Sequence, residues 1–377
     1  MGDTGEVRMP TVLSRDLSRA DLLQRVGRIE QVAGIRLVTL GDGVERGVRV
    51  LEVRSGSGLC FDILVDRAFD IGHAEFKGTP LSWDSPVGFS GPWYFEAEGL
   101  GFLRSFAGGL LTTGGLDHTL FPTSDTAAQY HYPPKPTESY GLHGRISNRP
   151  AVLRGYGSIW TGDACVIWAE GEVTQASALG ETLVLNRRIE VDLGGNVIRV
   201  ADEVLNAGYH DTPHMLLYHV NVGYPVVDEG AEIILSKPDL VAAGDYSVDT
   251  FLRLDAPQAG YEERVASYTP RPAKDGFASV SIVNQKQGIG FVQRYRAADL
   301  PHPFIWRMLG EGHYVVALEP STNRVTGRLE ARENGELIQL APGQSRHYRL
   351  ELGVIDGAAA IEKCRATALA QSNQELS

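Results

Sequence analysis

The chain has 377 residues, of which 43% are hydrophobic and 22% are charged, a balance typical of a folded globular protein. Its 47 acidic residues outnumber its 35 basic residues, and the formal net charge is −12. This charge disfavours nucleic-acid partners, which need a basic surface, and it disfavours docking on anionic membranes. Because the chain has no run of 18 apolar residues and no signal-peptide core, we expect a cytoplasmic protein that does not span a membrane.

The cysteines and histidines predict neither a disulfide framework nor a metal site. Cys60, Cys165 and Cys364 are far apart and odd in number, and no CxxC spacing occurs. HxH and HExxH spacings are also missing from the chain. A reducing compartment fits this cysteine usage, and we expect neither a bound metal nor a cofactor.

In chain order, the first predicted element is a helix over Ser18–Gly34. Ser18 suits the N-cap, and apolar residues follow at helical spacing, namely Leu22, Leu23, Val26, Ile29 and Val32. Residues 1–34 are therefore predicted to form an N-terminal tail and helix.

After Gly34 the hydrophobic period changes from that of a helix to that of strands. Short β-rich runs alternate with turns rich in Gly, Asn, Asp or Pro. The clearest predicted strands are Ala164–Glu172, Thr182–Asp192, Asn196–Asn206, His214–Val220, Ala231–Ser236, Ala278–Asn284, Gly288–Tyr295, Tyr314–Leu318 and Arg346–Val354. Phe89–Pro136 is the least regular region, and we expect it to supply loops over one face of a sheet. Asp356–Gln371 is predicted to be a C-terminal helix. The sequence thus predicts an all-β, mainly antiparallel sandwich, with residues 35–377 as one domain.

Polar residues interrupt the strand pattern in three stretches of the N-terminal half. "DRAFDIG" contains Arg67 and Asp70, and "LLTTGGLDHTLFP" contains Asp117. "SYGLHGRISNRPA" places His143 and Arg145 in a glycine-rich bend. Each could contact a ligand. Each also has a structural reading: Arg67 and Asp70 could bridge a turn, and Arg145 could form an ion pair.

The two most informative stretches lie in the C-terminal half. In "LLYHVNVGYP", an apolar strand leads into His219 and Asn221, which the two-residue strand period places on one face. In "VVALEPSTNRVTGR", an apolar strand ends at Glu319, and Asn323 follows in a segment that a turn would also explain. Burial raises the pKa of a carboxyl group and suits it to proton transfer near neutral pH. A buried hydrogen-bonded pair without function is the alternative for His219 and Glu319.

The order of "GLHGR", "YHVN" and "LEPSTN" along the chain resembles the galactose mutarotase (aldose 1-epimerase) superfamily. More narrowly, it resembles a mutarotase-like branch with the motifs "DRAFDIG", "GLHGRISNRPA" and "HVNVGYP". The resemblance covers most of the chain. It implies a β-supersandwich with a carbohydrate cleft and a monosaccharide or sugar derivative as substrate. A homodimer remains open.

The resemblance also implies the roles of individual residues. Glu319 would remove the proton of the anomeric hydroxyl, His219 would protonate the ring oxygen, and His143 would bind a hydroxyl. Substrate contacts are further expected from Arg145, Arg67, Asp70, Asp117, Asn221 and Asn323. Since the reaction only moves protons, it needs no cofactor.

Two departures from the family pattern stand out. Arg145 occupies a position where the better-known mutarotases have glycine. A substrate-binding aspartate between His219 and Glu319 is not placed by any motif, and Asp245, Asp249 and Asp255 are candidates. Two other functions stay open: a sugar-binding or sugar-sensing protein without turnover, and a lyase or isomerase of modified keto sugars.

Overall fold

The protein is described from a computed structural model, which covers residues 10–12, 15–237 and 239–373, so most of the predicted N-terminal tail lies outside the described residues. The first thirteen strands are β1 Thr11–Val12, β2 Arg15–Asp16, β3 Gly34–Thr39, β4 Arg49–Arg54, β5 Leu59–Leu64, β6 Asp70–Phe76, β7 Thr79–Pro80, β8 Trp83–Asp84, β9 Gly108–Gly109, β10 Leu111–Leu116, β11 Thr123–Thr126, β12 Thr137–Tyr140 and β13 Val152–Thr161. The later strands are β14 Ala164–Ala176, β15 Thr182–Asp192, β16 Val197–Asn206, β17 Thr212–Val222, β18 Glu232–Leu235, β19 Val241–Ala242, β20 Arg264–Ser267, β21 Phe277–Asn284, β22 Ile289–Arg296, β23 Phe304–Gly310, β24 His313–Glu319, β25 Ile338–Leu340 and β26 Ser345–Asp356. The α-helices are α1 Arg19–Leu23, α2 Arg328–Glu333 and α3 Ala358–Asn373.

Two large antiparallel sheets form the body of the protein. The larger sheet has twelve strands in the order β19-β20-β23-β24-β17-β10-β6-β5-β4-β3, with β25 beside β17 and β7 beside β6. The smaller sheet has eight strands in the order β13-β14-β15-β16-β26-β22-β21-β18. Their ladders are antiparallel, for example β10 with β17, β17 with β24, and β14 with β15. The predicted all-β antiparallel sandwich is confirmed.

The hydrophobic core lies between the two sheets. Along β14, β15 and β16, buried and half-buried residues alternate with a period of two, so each strand turns one face toward the core. One continuous cluster of buried apolar residues contains members of both sheets, among them Ile71 and Leu216 of the larger and Leu185 and Val200 of the smaller. The nine predicted strands are all present, and their observed bounds differ from the predicted ones by a few residues.

The predicted N-terminal helix is wrong in its extent. Ser18 does cap a helix, because its hydroxyl accepts a hydrogen bond from the Asp21 amide, but α1 already ends at Leu23. A single 3-10 turn follows at Ile29–Gln31, separated from α1 by Gly27 and by an extended Arg28. Glycine is a poor helix former, and the apolar spacing continues across this break without a continuous helix. The predicted C-terminal helix is confirmed as α3.

β17 places the candidate site because it lies in the middle of the larger sheet and is buried along its whole length. Tyr218 and its alternate neighbours face the core between the sheets. His219 and its alternate neighbours face the opposite side, which irregular segments of residues 89–136 cover, as the sequence predicts. No helix among the described residues is long and apolar enough to cross a membrane. Cys60, Cys165 and Cys364 carry free thiols.

Candidate functional site

His219 and Glu319 are brought together by the pairing of β17 with β24. Val220 pairs with Leu318, so the residues next to them, His219 and Glu319, are neighbours across the two strands. The His219 Nε2 and Glu319 Oε1 atoms are 3.5 Å apart. Both side chains are almost fully buried, with 7% and 2% of their surfaces exposed. An imidazole and a carboxyl group that lie 100 positions apart in sequence thus form one buried pair.

Asn221 fixes the orientation of the His219 ring. The Asn221 amide nitrogen donates to the His219 backbone carbonyl at 3.0 Å, and the amide oxygen faces His219 Nδ1 at hydrogen-bond distance. Because an amide oxygen only accepts, Nδ1 must carry the hydrogen, and a neutral His219 then has its lone pair on Nε2, toward Glu319. Edge contacts from Phe106 and Trp306, at ring centroid distances of 5.0 and 5.5 Å, hold the ring on its other sides.

Burial controls the charge of this pair. It lowers the pKa of His219 to about 4, and the hydrogen bond that His219 Nδ1 donates to the Asn221 amide oxygen opposes this shift. Burial also raises the pKa of Glu319 well above its usual value, and the nearby negative charge of Glu263 adds to the increase. Burial therefore favours the neutral form of both groups, the imidazole of His219 and the protonated carboxyl group of Glu319.

His143 joins the pair from a tight turn in the "GLHGR" segment. Its ring centroid lies 5.7 Å from that of His219, and its Nδ1 accepts a hydrogen bond from the Leu120 amide at 3.3 Å. Burial lowers the pKa of His143 well below its usual value, so the ring is neutral and its hydrogen is on Nε2. Gly144 follows at φ 74°, and a Cβ there would lie 2.5 Å from the carbonyl oxygens of Gly115 and His118. Only glycine fits this turn.

The pair and His143 line a cleft of about 310 Å³ on the outer face of the larger sheet. We call it the reaction cleft. Most of its other walls are apolar: Phe102, Phe106 and Leu120 come from the covering segments, Leu142 comes from the "GLHGR" segment, and Phe304 and Trp306 come from β23. Hydrophobic walls around a few convergent polar groups are typical of small-molecule sites.

Glu263 also lines the reaction cleft, and the sequence analysis missed it. It directly precedes β20, and its carboxylate accepts a hydrogen bond from the Trp306 indole at 2.8 Å. Glu263 is the acidic residue between His219 and Glu319 that reaches the cleft. The candidates Asp245, Asp249 and Asp255 do not line it. Glu263 lies before a short strand in a segment without strong periodicity, so only its acidic character could have indicated it.

Arg145 is not brought into the reaction cleft. Its guanidinium contacts the Glu181 carboxylate and lies 3.8 Å from that of Asp117, whose other partner is the Gln175 amide at 2.6 Å. Arg145 directly follows the Gly144 turn, which points its side chain away from His143 and toward β14 and the turn after it. Arg145 and Asp117 therefore join the bend to the smaller sheet. Arg145 forms an ion pair, which is the structural alternative that the sequence left open.

Arg67, Asp70 and Asn323 also lie outside the reaction cleft. Arg67 is buried and donates to the backbone carbonyls of Ser90 and Ser105, which ties the covering segment to the sheet. Asp70 accepts hydrogen bonds from the amide and hydroxyl of Thr113 and from Arg187, between the sheets. Asn323 accepts from the Thr322 hydroxyl in the turn after β24. These residues support the walls of the site and do not line it.

Arg187 is the centre of the buried network that contains Asp70. It occupies a core-facing position of β15 and forms ion pairs with Asp70 and, at 2.7 Å, with Asp202. The Tyr218 hydroxyl also donates to Asp202 at 2.7 Å. Since Tyr218 is adjacent to His219, this network fixes β17 directly behind the reaction cleft.

Among the residues that the structure describes, no group of three or more His, Cys, Asp or Glu side chains is arranged to hold a metal ion. The cleft offers one imidazole and one carboxyl group whose nearest atoms are 3.5 Å apart, and a second imidazole as hydrogen-bond donor. Such a set can move protons between two oxygens that lie close together.

Comparison with known proteins identifies a family and a fold. The family model described as "Domain of unknown function (DUF4432)" matches residues 45–354. No curated protein matches the chain. Among solved structures, a candidate aldose 1-epimerase from Klebsiella pneumoniae superposes with a TM-score of 0.81 at 22% identity, over 90% of this chain and 87% of that one.

Two further structures have the same fold at lower similarity. A galactose mutarotase-like protein from Clostridium acetobutylicum has a TM-score of 0.58 at 13% identity, over 85% of this chain and 98% of that one. A galactose 1-epimerase from Lactobacillus acidophilus has a TM-score of 0.56 at 12% identity, over 86% of this chain and 99% of that one. The chain therefore has the galactose mutarotase-like β-sandwich fold that the order of its motifs predicts.

Proposed function

We propose that this chain, which belongs to the DUF4432 family, interconverts the anomers of a reducing sugar by acid–base ring opening. The observation that carries the proposal is the buried contact of 3.5 Å between His219 Nε2 and Glu319 Oε1 on the wall of the reaction cleft. The two oxygens that exchange protons in this reaction are bonded to the same carbon, so the acid and the base must lie close together.

In the proposed reaction, the Glu319 carboxylate removes the proton of the anomeric hydroxyl while the His219 imidazolium protonates the ring oxygen. The bond between the anomeric carbon and the ring oxygen breaks, and a free aldehyde forms. Rotation about the adjacent carbon–carbon bond and the reverse proton transfers then close the ring on either face. The pair contains one proton throughout, because proton transfer between the two groups converts the neutral pair into the ion pair that opens the ring.

Two further residues support this reaction. Asn221 keeps the hydrogen of His219 on Nδ1, so Nε2 is the nitrogen that exchanges a proton with the sugar. His143 has its hydrogen on Nε2 and donates it to a sugar hydroxyl. The apolar walls lower the local dielectric constant and strengthen both interactions.

Exchange NMR on a panel of reducing sugars tests the proposal, with Glu319→Gln and His219→Gln as variants. We expect the wild-type protein to accelerate anomer exchange without any change in the carbon skeleton, and each variant to lose about 10²–10⁴-fold. Tight binding of a sugar without acceleration would instead indicate a sugar-binding or sugar-sensing protein. A new carbonyl position or an elimination product would indicate a lyase or an isomerase of modified sugars.

A further inference from the structure

The reaction cleft offers few partners for the hydroxyl groups of a sugar. Its only ionisable lining residues among the described ones are His143, His219, Glu263 and Glu319, and two of these carry out the proposed chemistry. The indole nitrogen of Trp306 already donates to Glu263. A buried hydroxyl without a hydrogen bond costs about 1–3 kcal/mol. A single sugar ring is therefore held weakly here, and further recognition must come from outside the reaction cleft.

A larger groove lies next to the reaction cleft. Its volume is about 810 Å³, more than twice the 310 Å³ of the cleft. We call it the second groove. The two spaces adjoin, since they share five lining residues: Phe121, Glu263, Val265, Phe304 and Val325. Because Glu263 lines both spaces, we expect a ligand that reacts at Glu319 to extend past Glu263 into the second groove.

The lining of the second groove combines flat apolar surfaces with hydrogen-bonding groups. Tyr246, Pro270 and Pro303 supply apolar surfaces, and Thr269 and Arg324 supply polar groups. The positions of several of them are already fixed: the Tyr246 hydroxyl bonds to the backbone of Val265, and Arg324 pairs with Glu336 at 3.1 Å. Sugar rings present apolar faces and a rim of hydroxyls, which match such an alternation.

We propose that the natural substrate is a reducing disaccharide or a longer reducing glycan. Its reducing-end ring occupies the reaction cleft, and the next sugar unit lies in the second groove. This inference rests on the proposed anomer exchange, which it deepens by naming the substrate class. Binding energy from the second unit compensates for the few polar contacts of the first, in the way that remote parts of a substrate support reaction at the reacting centre.

The test compares the kcat/KM of anomer exchange for disaccharides and for their monosaccharides. The panel consists of maltose, cellobiose, lactose, isomaltose, gentiobiose and melibiose against glucose and galactose. We expect at least one disaccharide to exceed its reducing-end monosaccharide by about tenfold or more. Ala243→Trp places a large side chain at an exposed position that lines the second groove and should abolish this ratio. Ala366→Trp, the same change at an exposed position of α3, should preserve it.

Two outcomes separate the failure of this inference from the failure of the proposed function. If monosaccharides react as fast as disaccharides and Glu319→Gln is inactive, the anomer exchange stands and the disaccharide proposal is overturned. If the protein accelerates anomer exchange of no sugar, binding to the wild type is measured by calorimetry. Equal affinity for disaccharides and monosaccharides then overturns the inference. A disaccharide preference of tenfold in affinity that Ala243→Trp abolishes supports the second groove as a sugar site even without turnover.

Discussion

Replacement of Asn221 by leucine tests whether Asn221 determines which ring nitrogen of His219 carries the hydrogen. Leucine has nearly the shape of asparagine but cannot accept the hydrogen of His219 Nδ1, and it cannot donate to the His219 carbonyl. The ring would then contain a buried N–H without an acceptor. The neutral ring can avoid this by moving its hydrogen to Nε2, which removes the lone pair that faces Glu319.

The size of the effect follows from the loss of this hydrogen bond. A buried donor without a partner costs about 1–3 kcal/mol. Because about 1.4 kcal/mol corresponds to a tenfold change in rate, we expect kcat for anomer exchange to fall by about 5-fold to 150-fold. Sugar binding should change less, because Asn221 contacts the imidazole and does not line the reaction cleft.

Two readouts check this prediction. Exchange NMR gives kcat, and ¹⁵N spectra of histidine-labelled protein report which nitrogen of His219 carries the hydrogen. Asn186→Leu is the matched control, since Asn186 is half-buried on β15 and contacts Glu203 away from the site. An unchanged kcat in Asn221→Leu, with the hydrogen still on Nδ1, would refute the proposed role of Asn221.

Three further predictions concern charge. The proposed active form of the His219–Glu319 pair holds one proton, so kcat/KM should fall below about pH 4, the pKa of His219. At the alkaline end, kcat/KM should fall only at a pH above the ordinary pKa of a glutamate, because burial raises the pKa of Glu319. A pair with ordinary pKa values would be active only between about pH 4.3 and about pH 6.5. Glu263→Gln removes a negative charge that raises the pKa of Glu319, so the alkaline limb should move to lower pH; an unmoved limb would contradict the coupling. Arg187→Met leaves the buried carboxylates of Asp70 and Asp202 without their cation, so it should lower the free energy of unfolding, measured in urea, by about 3–5 kcal/mol. Arg154→Met, at an exposed ion pair, should lower it by at most about 1 kcal/mol. Equal losses in these two variants would contradict the structural role of the Arg187 network.

The strands and the buried pair of His219 and Glu319 could be predicted because short-range patterns encode them. The alternation along Thr182–Asp192 defines β15 without any tertiary information. His219 and Glu319 stood out because each polar residue interrupts an apolar strand, and antiparallel pairing then places them side by side. The predicted N-terminal helix is too long because the helical spacing of apolar residues continues through Gly27 and does not indicate the break there.

The remaining site residues depend on loop paths, which the sequence does not encode locally. Arg145 is two residues after His143, yet the turn at Gly144 sends its side chain toward Glu181. Asp70 lies in the segment "DRAFDIG", but its partners Thr113 and Arg187 are distant in sequence and hold it between the sheets. Glu263 reaches the cleft only because β20 pairs with β23 beside Trp306.

The most direct test of the central claim is the rate of anomer exchange at saturating sugar and neutral pH, measured by selective-inversion NMR on the wild type and on Glu319→Gln. Glutamine preserves the shape of Glu319 but cannot take or give a proton. We predict that the wild type accelerates exchange and that Glu319→Gln is slower by about 10²–10⁴-fold. Equal rates in the two proteins, with the sugar bound to both, would contradict it.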